Sequence, residues 1–293
     1  MCTSIDKSKI FEAGRLKNYE KVWREITSDN QILDIVLHCH IHFYDNLHPV
    51  RKELKRTLMF NRIEEKIIDK EICNLLELKV IQEVKNSDDQ YLSPIFTVPK
   101  KDGEHRMILN LKDLNQNIEY YHFKMDTFET ALKLIKPNCF MASIDVRHAY
   151  YSVPIAHEDR KFLRFKWKNA IFQYTCLPNG ISCAPRYFTK LLKPVYSTLR
   201  KMGHLNLGYI DDSLLIGDSR KECLENVNDT NWLFEKVGFI VHEKKSVFEP
   251  TQKLKFLGFI IDSVNMIATL RQEKVDNVIL ECKSLYKKEQ VSL

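Results

Sequence analysis

Between Asn61 and Leu78 the apolar residues Ile63, Ile67, Ile68, Ile72, Leu75 and Leu76 recur every three or four positions, the spacing of one face of an amphipathic helix. Beyond that point the period changes. Pro94 to Pro99 and His105 to Leu111 read as two strands, and Lys101-Asp102-Gly103 supplies a turn with Gly where positive φ is wanted. Further on, a buried strand over 140–146 is followed by a helix from about Ala184 to Arg200. A hairpin over 206–216 then turns at Asp211-Asp212, ahead of a helix from about Arg220 to Val237 and a strand over 239–241. The order β-α-β-β-α-β is that of a split βαβ unit. It sets the end of the first strand beside the tip of the hairpin. Between them, Lys161–Trp167 and Ala170–Tyr174 read as two further strands of an insertion over 158–178. Residues 1–50 are mixed and not repetitive.

Tyr209-Ile210-Asp211-Asp212 puts two adjacent carboxylates at the tip of an apolar hairpin. Like charges this close raise each other's pKa and resist burial, so the pair persists most readily where a divalent cation neutralises it. A solvated Asp-Asp turn is the alternative, and Asp88-Asp89 is one in the same chain. A third carboxylate tips the balance: Phe140-Met141-Ala142-Ser143-Ile144 delivers Asp145 at the end of a strand. Three carboxylates on two elements can hold two hard cations, and such a pair can activate an attacking oxygen while stabilising a leaving one. That chemistry suits nucleotidyl transfer.

Composition narrows the class. Of 293 residues 44% are hydrophobic, with only 8 Gly and 9 Pro, which argues for a packed core. The N-terminus lacks the basic and apolar regions of a signal peptide, and no apolar run approaches the ~20 residues of a membrane span, so an intracellular chain with no membrane partner is expected. Eight cysteines fall in no C-x-x-C pair and read as buried thiols. The net charge of +6 fits contact with phosphates without demanding it. His38, Cys39, His40 and His42 imitate a metal site, but no second ligand pair follows at zinc spacing, so an ordinary partly buried segment is expected.

The motifs together resemble a reverse transcriptase. The Y-x-D-D hairpin (209–212), Asp145 with Ala149-Tyr150 following, and Leu177-Pro178-Asn179-Gly180 to Pro185 are similar to three of that family's blocks, in its order. Ser93 to Gly103 with Arg106 and Leu111-Lys112-Asp113-Leu114-Asn115 resembles the fingers hairpin. Lys244-Lys245-Ser246 and Phe256-Leu257-Gly258-Phe259 resemble the last two blocks. The wording is closest to retrotransposon enzymes of the DIRS type, notably in Tyr121 to Met125 and Gly208 to Leu214, and the likeness covers roughly residues 14–262.

The resemblance implies an α+β right-hand polymerase: fingers over 61–138, a ferredoxin-like palm over 139–262 with the 158–178 insertion returning to the fingers, and in 263–293 only the start of a thumb. Residues 1–60 form an N-terminal segment without an assigned role. It implies RNA-directed DNA synthesis from dNTPs on an RNA or DNA template with a DNA primer, using two Mg²⁺ ions, with Mn²⁺ as a substitute. Asp145 and Asp211 would hold both metals, with Asp212 supporting. Lys100 and Arg106 would grip the triphosphate, a solvated basic turn being the alternative. Asn179 and Gly180 would lie under the base and sugar, and Tyr150 would exclude a 2′-hydroxyl, a core aromatic being the alternative. Lys245 would pass a proton to pyrophosphate, a surface lysine being the alternative, and Phe256, Leu257 and Gly258 would form a primer grip, a buried strand being the alternative. Lys161, Arg164, Lys166 and Lys168 are either a solvated face or template contacts. Arg147-His148 departs from the family pattern. After Leu270 only 23 residues remain, too few for a full thumb, and RNase H or recombinase regions of the same element would lie elsewhere; a truncated, catalytically silent remnant that binds nucleic acid is the rival reading.

Overall fold

The computed structural model describes residues 11–46, 48–54, 59–99 and 105–286. In chain order these form α1 (Glu20–Ile26), α2 (Asn30–His38), α3 (Arg62–Glu77), β1 (Ile81–Val84), β2 (Ile95–Pro99), β3 (His105–Leu109), α4 (Lys112–Asn115) and α5 (Phe128–Leu134). There follow β4 (Phe140–Asp145), β5 (Arg164–Trp167), β6 (Ala170–Tyr174), α6 (Ala184–Lys201), β7 (Leu205–Tyr209), β8 (Asp212–Gly217) and α7 (Arg220–Lys236). The last elements are β9 (Val247–Thr251), β10 (Lys253–Phe256), β11 (Phe259–Asp262), β12 (Ile267–Leu270) and α8 (Gln272–Tyr286). Two compact units emerge: Met1–Lys124 with Arg147–Val195 and Leu233–Ile240, and Met125–Val146 with Tyr196–Trp232 and Val241–Leu293.

In the first unit α3 starts where the sequence offers a capping box. The Asn61 side chain accepts from the backbone N–H of Ile63 and Glu64, and Glu64 returns a bond to the Asn61 N–H. β2 and β3 pair as an antiparallel hairpin, while the expected turn at Lys101-Asp102-Gly103 lies outside the described residues. The insertion pairs with β1 in the order β1-β6-β5, so it joins the helix-and-strand region before it. Its first strand is shorter than expected, because His157–Phe162 is a 3-10 helix and regular pairing starts at Arg164. Trp23 brings α1 into this core. Trp23 is wholly buried, its indole N–H donates to the Val237 carbonyl at 2.9 Å, and its ring meets Phe239 edge-on.

The second unit holds a four-stranded antiparallel sheet in the order β7-β8-β4-β9. With α6 and α7 as its crossovers in the sequence, this is the split βαβ arrangement. One expected strand is corrected: 239–241 makes a single bridge, Val146 to Val241, and the fourth strand is β9 at 247–251. Phe239 is instead spent on the first unit's core, against Trp23, Phe188 and Phe234. Below the sheet Ala131, Ile135, Met141, Leu207, Leu214, Ile216, Leu254, Phe256 and Ile261 form one apolar cluster. On α7 the buried Asn226 amide donates to the Leu205 and Ile216 carbonyls and accepts from Asn206, tying the helix to both strands at the open end of the β7–β8 hairpin. These bonds offset the cost of burying the two amides, except at Asn206 Oδ1, which has no hydrogen-bond partner among the described residues.

Cysteines depart in part from expectation: Cys39, Cys139, Cys176, Cys183 and Cys223 are buried, whereas Cys73 and Cys282 are exposed. Cys2 lies outside the described residues.

Candidate active site

The turn of the β7–β8 hairpin is Ile210-Asp211, one residue earlier than the sequence suggests, and Asp212 is the first residue of β8. Ile210 sits at φ 55, a left-handed conformation costly for a β-branched residue. Asp212 pairs with Tyr209 on one side and with Asp145 on the other. Directly opposed residues of antiparallel strands point to the same face, so two carboxylates share one rung at the sheet's end. The Val146 N–H donates to the Asp211 carbonyl at 2.9 Å, which anchors the hairpin tip beside Asp145.

A loop over 242–246 holds Asp145 from the other side. The Ser246 hydroxyl accepts from the Asp145 N–H at 3.0 Å and donates to the His242 carbonyl at 3.0 Å, while the His242 N–H donates to the Asp145 carbonyl at 2.8 Å. This brings Lys245 Nζ to 3.6 Å from Asp145 Oδ2.

Burial raises the Asp145 pKa, and the nearby Asp211 adds to the rise. Lys245 opposes it without overcoming it, because the ammonium is 62% exposed and screened by water. Asp212 is pushed up to about 6, first by burial and then by Asp211 and Asp145, with Lys245 and Arg271 pulling the other way. Among the described residues no three His, Cys, Asp or Glu side chains form a ready metal cage. The donor set still fits a hard divalent cation of the kind that completes its shell with water and substrate phosphates: all oxygen, anionic, and held together at an electrostatic cost that a cation would relieve.

Other expected site residues divide between the units. In the second unit Phe256 and Phe259 bracket a two-residue turn at Leu257 (φ 47) and Gly258 (φ 86), a tight hairpin with Phe256 buried in the apolar cluster. In the first unit Arg106 is exposed on β3 opposite Val98, and Lys100 lies outside the described residues. Tyr150 opens a short 3-10 turn, half-buried, its ring edge-on to Phe188. Asn179 donates to the Tyr151 hydroxyl, and Gly180 adopts φ 92. Of the basic residues of the insertion, Lys161 is paired with Asp89, Lys168 with Asp69, and Arg164 is hydrogen-bonded to Gln173, Ser87 and Gln90. Those three serve the fold of their own unit, which favours the plain structural reading over template contact. His40 likewise bonds Asp159, and Cys39 is buried.

Two contributors carry no role in the sequence reading. Asn115 clamps the loop at 180–182 with both ends of its amide, donating to the Gly180 carbonyl and accepting from the Ser182 N–H, each at 2.9 Å. Ser246 is the second, through the bonds to Asp145 and His242 described above. Both stand inside quoted motifs, which is the only signal the sequence holds for them.

A family model for the reverse transcriptase (RNA-dependent DNA polymerase) family matches residues 98–261, more than half of the chain, and the chain belongs to that family. The Transposon Tf2-3 polyprotein of Schizosaccharomyces pombe is 27% identical over 186 residues, covering 64% of this chain and 14% of the polyprotein, and the Tf2-7 polyprotein gives the same figures. Among solved structures, the foamy viral protease-reverse transcriptase in complex with dsDNA superposes with a TM-score of 0.66 at 20% identity, over 95% of this chain and 59% of that one. The same enzyme with an RNA/DNA hybrid gives 0.63 at 20%, over 90% and 37%. The fold is that of polymerase fingers and palm. The chain spans 14% of the length of these polyproteins.

Proposed function

We propose that the chain is the RNA-directed DNA polymerase of a retrotransposon, closest to the DIRS type, extending a DNA primer on an RNA or DNA template with dNTPs. The observation that carries this is the Asp145–Asp212 rung with Asp211 at the adjoining tip, in a chain of the reverse transcriptase family. Residues 61–138 with 158–178 are assigned to the fingers, the rest of 139–262 to the palm, and 263–293 to the start of a thumb.

Asp145 and Asp211, supported by Asp212, would hold two Mg²⁺ or Mn²⁺ ions, which when bound supply activation of the primer hydroxyl and charge neutralisation at the leaving pyrophosphate. The chain's own groups do the positioning. Arg106 and Lys100 bind triphosphate oxygens, Arg through its planar fork and Lys as a point charge. Gly180 lets backbone approach the nucleotide closely, beside Asn179. Tyr150 fills the volume a 2′-hydroxyl would need. Lys245 is the candidate proton donor to pyrophosphate, a role supported by its 3.6 Å approach to Asp145 and its exposure to solvent. Phe256, Leu257 and Gly258 steer the primer end. Further regions of the element, such as RNase H or recombinase, and an intracellular setting complete the proposal.

The test is extension of a DNA primer on an RNA template with dNTPs, with and without Mg²⁺. Metal-dependent, template-directed products support it. A chain that binds primer–template yet never extends it is the silent remnant instead.

A further inference from the structure

The rung beneath the carboxylates is locked by a side chain from α6. Tyr196 and Ser213 are both buried, and their hydroxyls are hydrogen-bonded at 2.6 Å. Ser213 follows Asp212 in β8, pairs with Gly208 in β7, and faces Ile144, the residue before Asp145, in β4. On the β7 side a Cβ at Gly208 would run into the ring and hydroxyl of Tyr196, so only glycine leaves the space the ring occupies. One aromatic therefore bears on both strands of the hairpin, one residue below the Tyr209–Asp212 pair. Above it the chain is under stress, with Ile210 at φ 55 and three carboxylates close together. A two-residue turn in that state needs its last rungs held if Asp212 is to stay level with Asp145.

We propose that Tyr196 is a positioning residue for the carboxylate hairpin, its hydroxyl on Ser213 and its ring against Gly208 fixing where Asp211 and Asp212 stand relative to Asp145. This extends the Y-x-D-D motif by one residue on each side, Gly208 and Ser213, as the two surfaces that receive the tyrosine. The inference rests on the polymerase reading of the hairpin. Misplacing catalytic groups by about 1 Å can cost on the order of a hundredfold in rate, so a partial loosening is expected to be visible.

The experiment compares wild type, Tyr196→Phe, Ser213→Ala and the double variant. Tyr196→Phe keeps the ring that fills the space at Gly208 and removes only the hydroxyl. Readouts are Mn²⁺ affinity by paramagnetic resonance, single-turnover primer extension, primer–template affinity and Tm. Each single variant is expected to weaken Mn²⁺ binding and slow extension by on the order of tenfold, with primer–template affinity unchanged. The double variant should lose no more than the worse single, because the two hydroxyls act as one unit. Wild-type Mn²⁺ affinity and rate in Tyr196→Phe, or losses that multiply in the double variant, overturn the proposal while leaving the polymerase reading intact. A wild-type chain that does not extend primers but loses Mn²⁺ affinity on Tyr196→Phe overturns the polymerase reading and keeps the positioning role. A wild-type chain that neither extends nor binds Mn²⁺ overturns both.

Discussion

Asp145 and Asp212 face each other across one rung of an antiparallel sheet, β4 against β8, where like charges are ordinarily avoided. The arrangement is costly without a cation, and the cost depends on pH. With its folded pKa raised to about 6 against an ordinary carboxylate value near 4, Asp212 binds a proton more tightly in the folded state. Its contribution therefore favours the fold below about pH 4 and is lost as pH rises through about 6. Asp212→Asn should melt higher than wild type at pH 7.5 in chelator, with the gain shrinking towards pH 4.5 and on addition of Mg²⁺. Thermal melts across that range check it; a pH-independent gain, or a lower melt at pH 7.5, contradicts it.

Asn115→Ala should loosen the loop carrying Asn179 and Gly180, since it removes both amide bonds to residues 180 and 182. Two lost hydrogen bonds cost about 1–3 kcal/mol. Nucleotide KM should rise more than kcat falls, and proteolysis at the loop should accelerate. Unchanged KM with lowered Tm would make Asn115 a matter of stability alone.

Gly258→Ala puts a Cβ at φ 86, where it meets the end of the Lys274 side chain. That lysine can move aside, so the backbone penalty dominates, at about 1–2 kcal/mol. Denaturant melts should show the loss, and Gly258→Asn, a residue that tolerates left-handed backbone, should show less of it.

How far these features were legible in the sequence follows from the range of the interactions. The carboxylate hairpin was readable because alternation and adjacency are local. The fourth strand of the sheet was not: Phe239-Ile240-Val241 is apolar enough to suggest one, but Phe239 fills the first unit's core. The real strand β9 contains Pro250, which counts against a strand by local rules. An edge position makes proline acceptable there, and edge positions are a property of the sheet order. Ser246 reaches the backbone 101 residues earlier and Asn115 a loop 65 residues on, so neither leaves a local pattern. The tyrosine latch showed only its receiving ends, Gly208 and Ser213, inside the quoted run from Gly208 to Leu214.

Tyr150→Val should admit ribonucleotides. Removing the ring opens the volume proposed to exclude a 2′-hydroxyl and gives up an edge-on contact with Phe188 worth about 0.5–1.5 kcal/mol. Discrimination between dNTP and rNTP should fall by on the order of tenfold or more, with deoxynucleotide incorporation reduced less. Equal loss of both would make Tyr150 a core aromatic.

The most direct test of the carboxylate site is single-turnover primer extension by Asp211→Asn beside wild type at saturating Mg²⁺, with Tm measured on both. An amide carries no charge and is a poorer ligand for a hard cation, so extension should fall by on the order of a hundredfold or more while the fold survives. Wild-type extension rates in a folded Asp211→Asn would contradict the account.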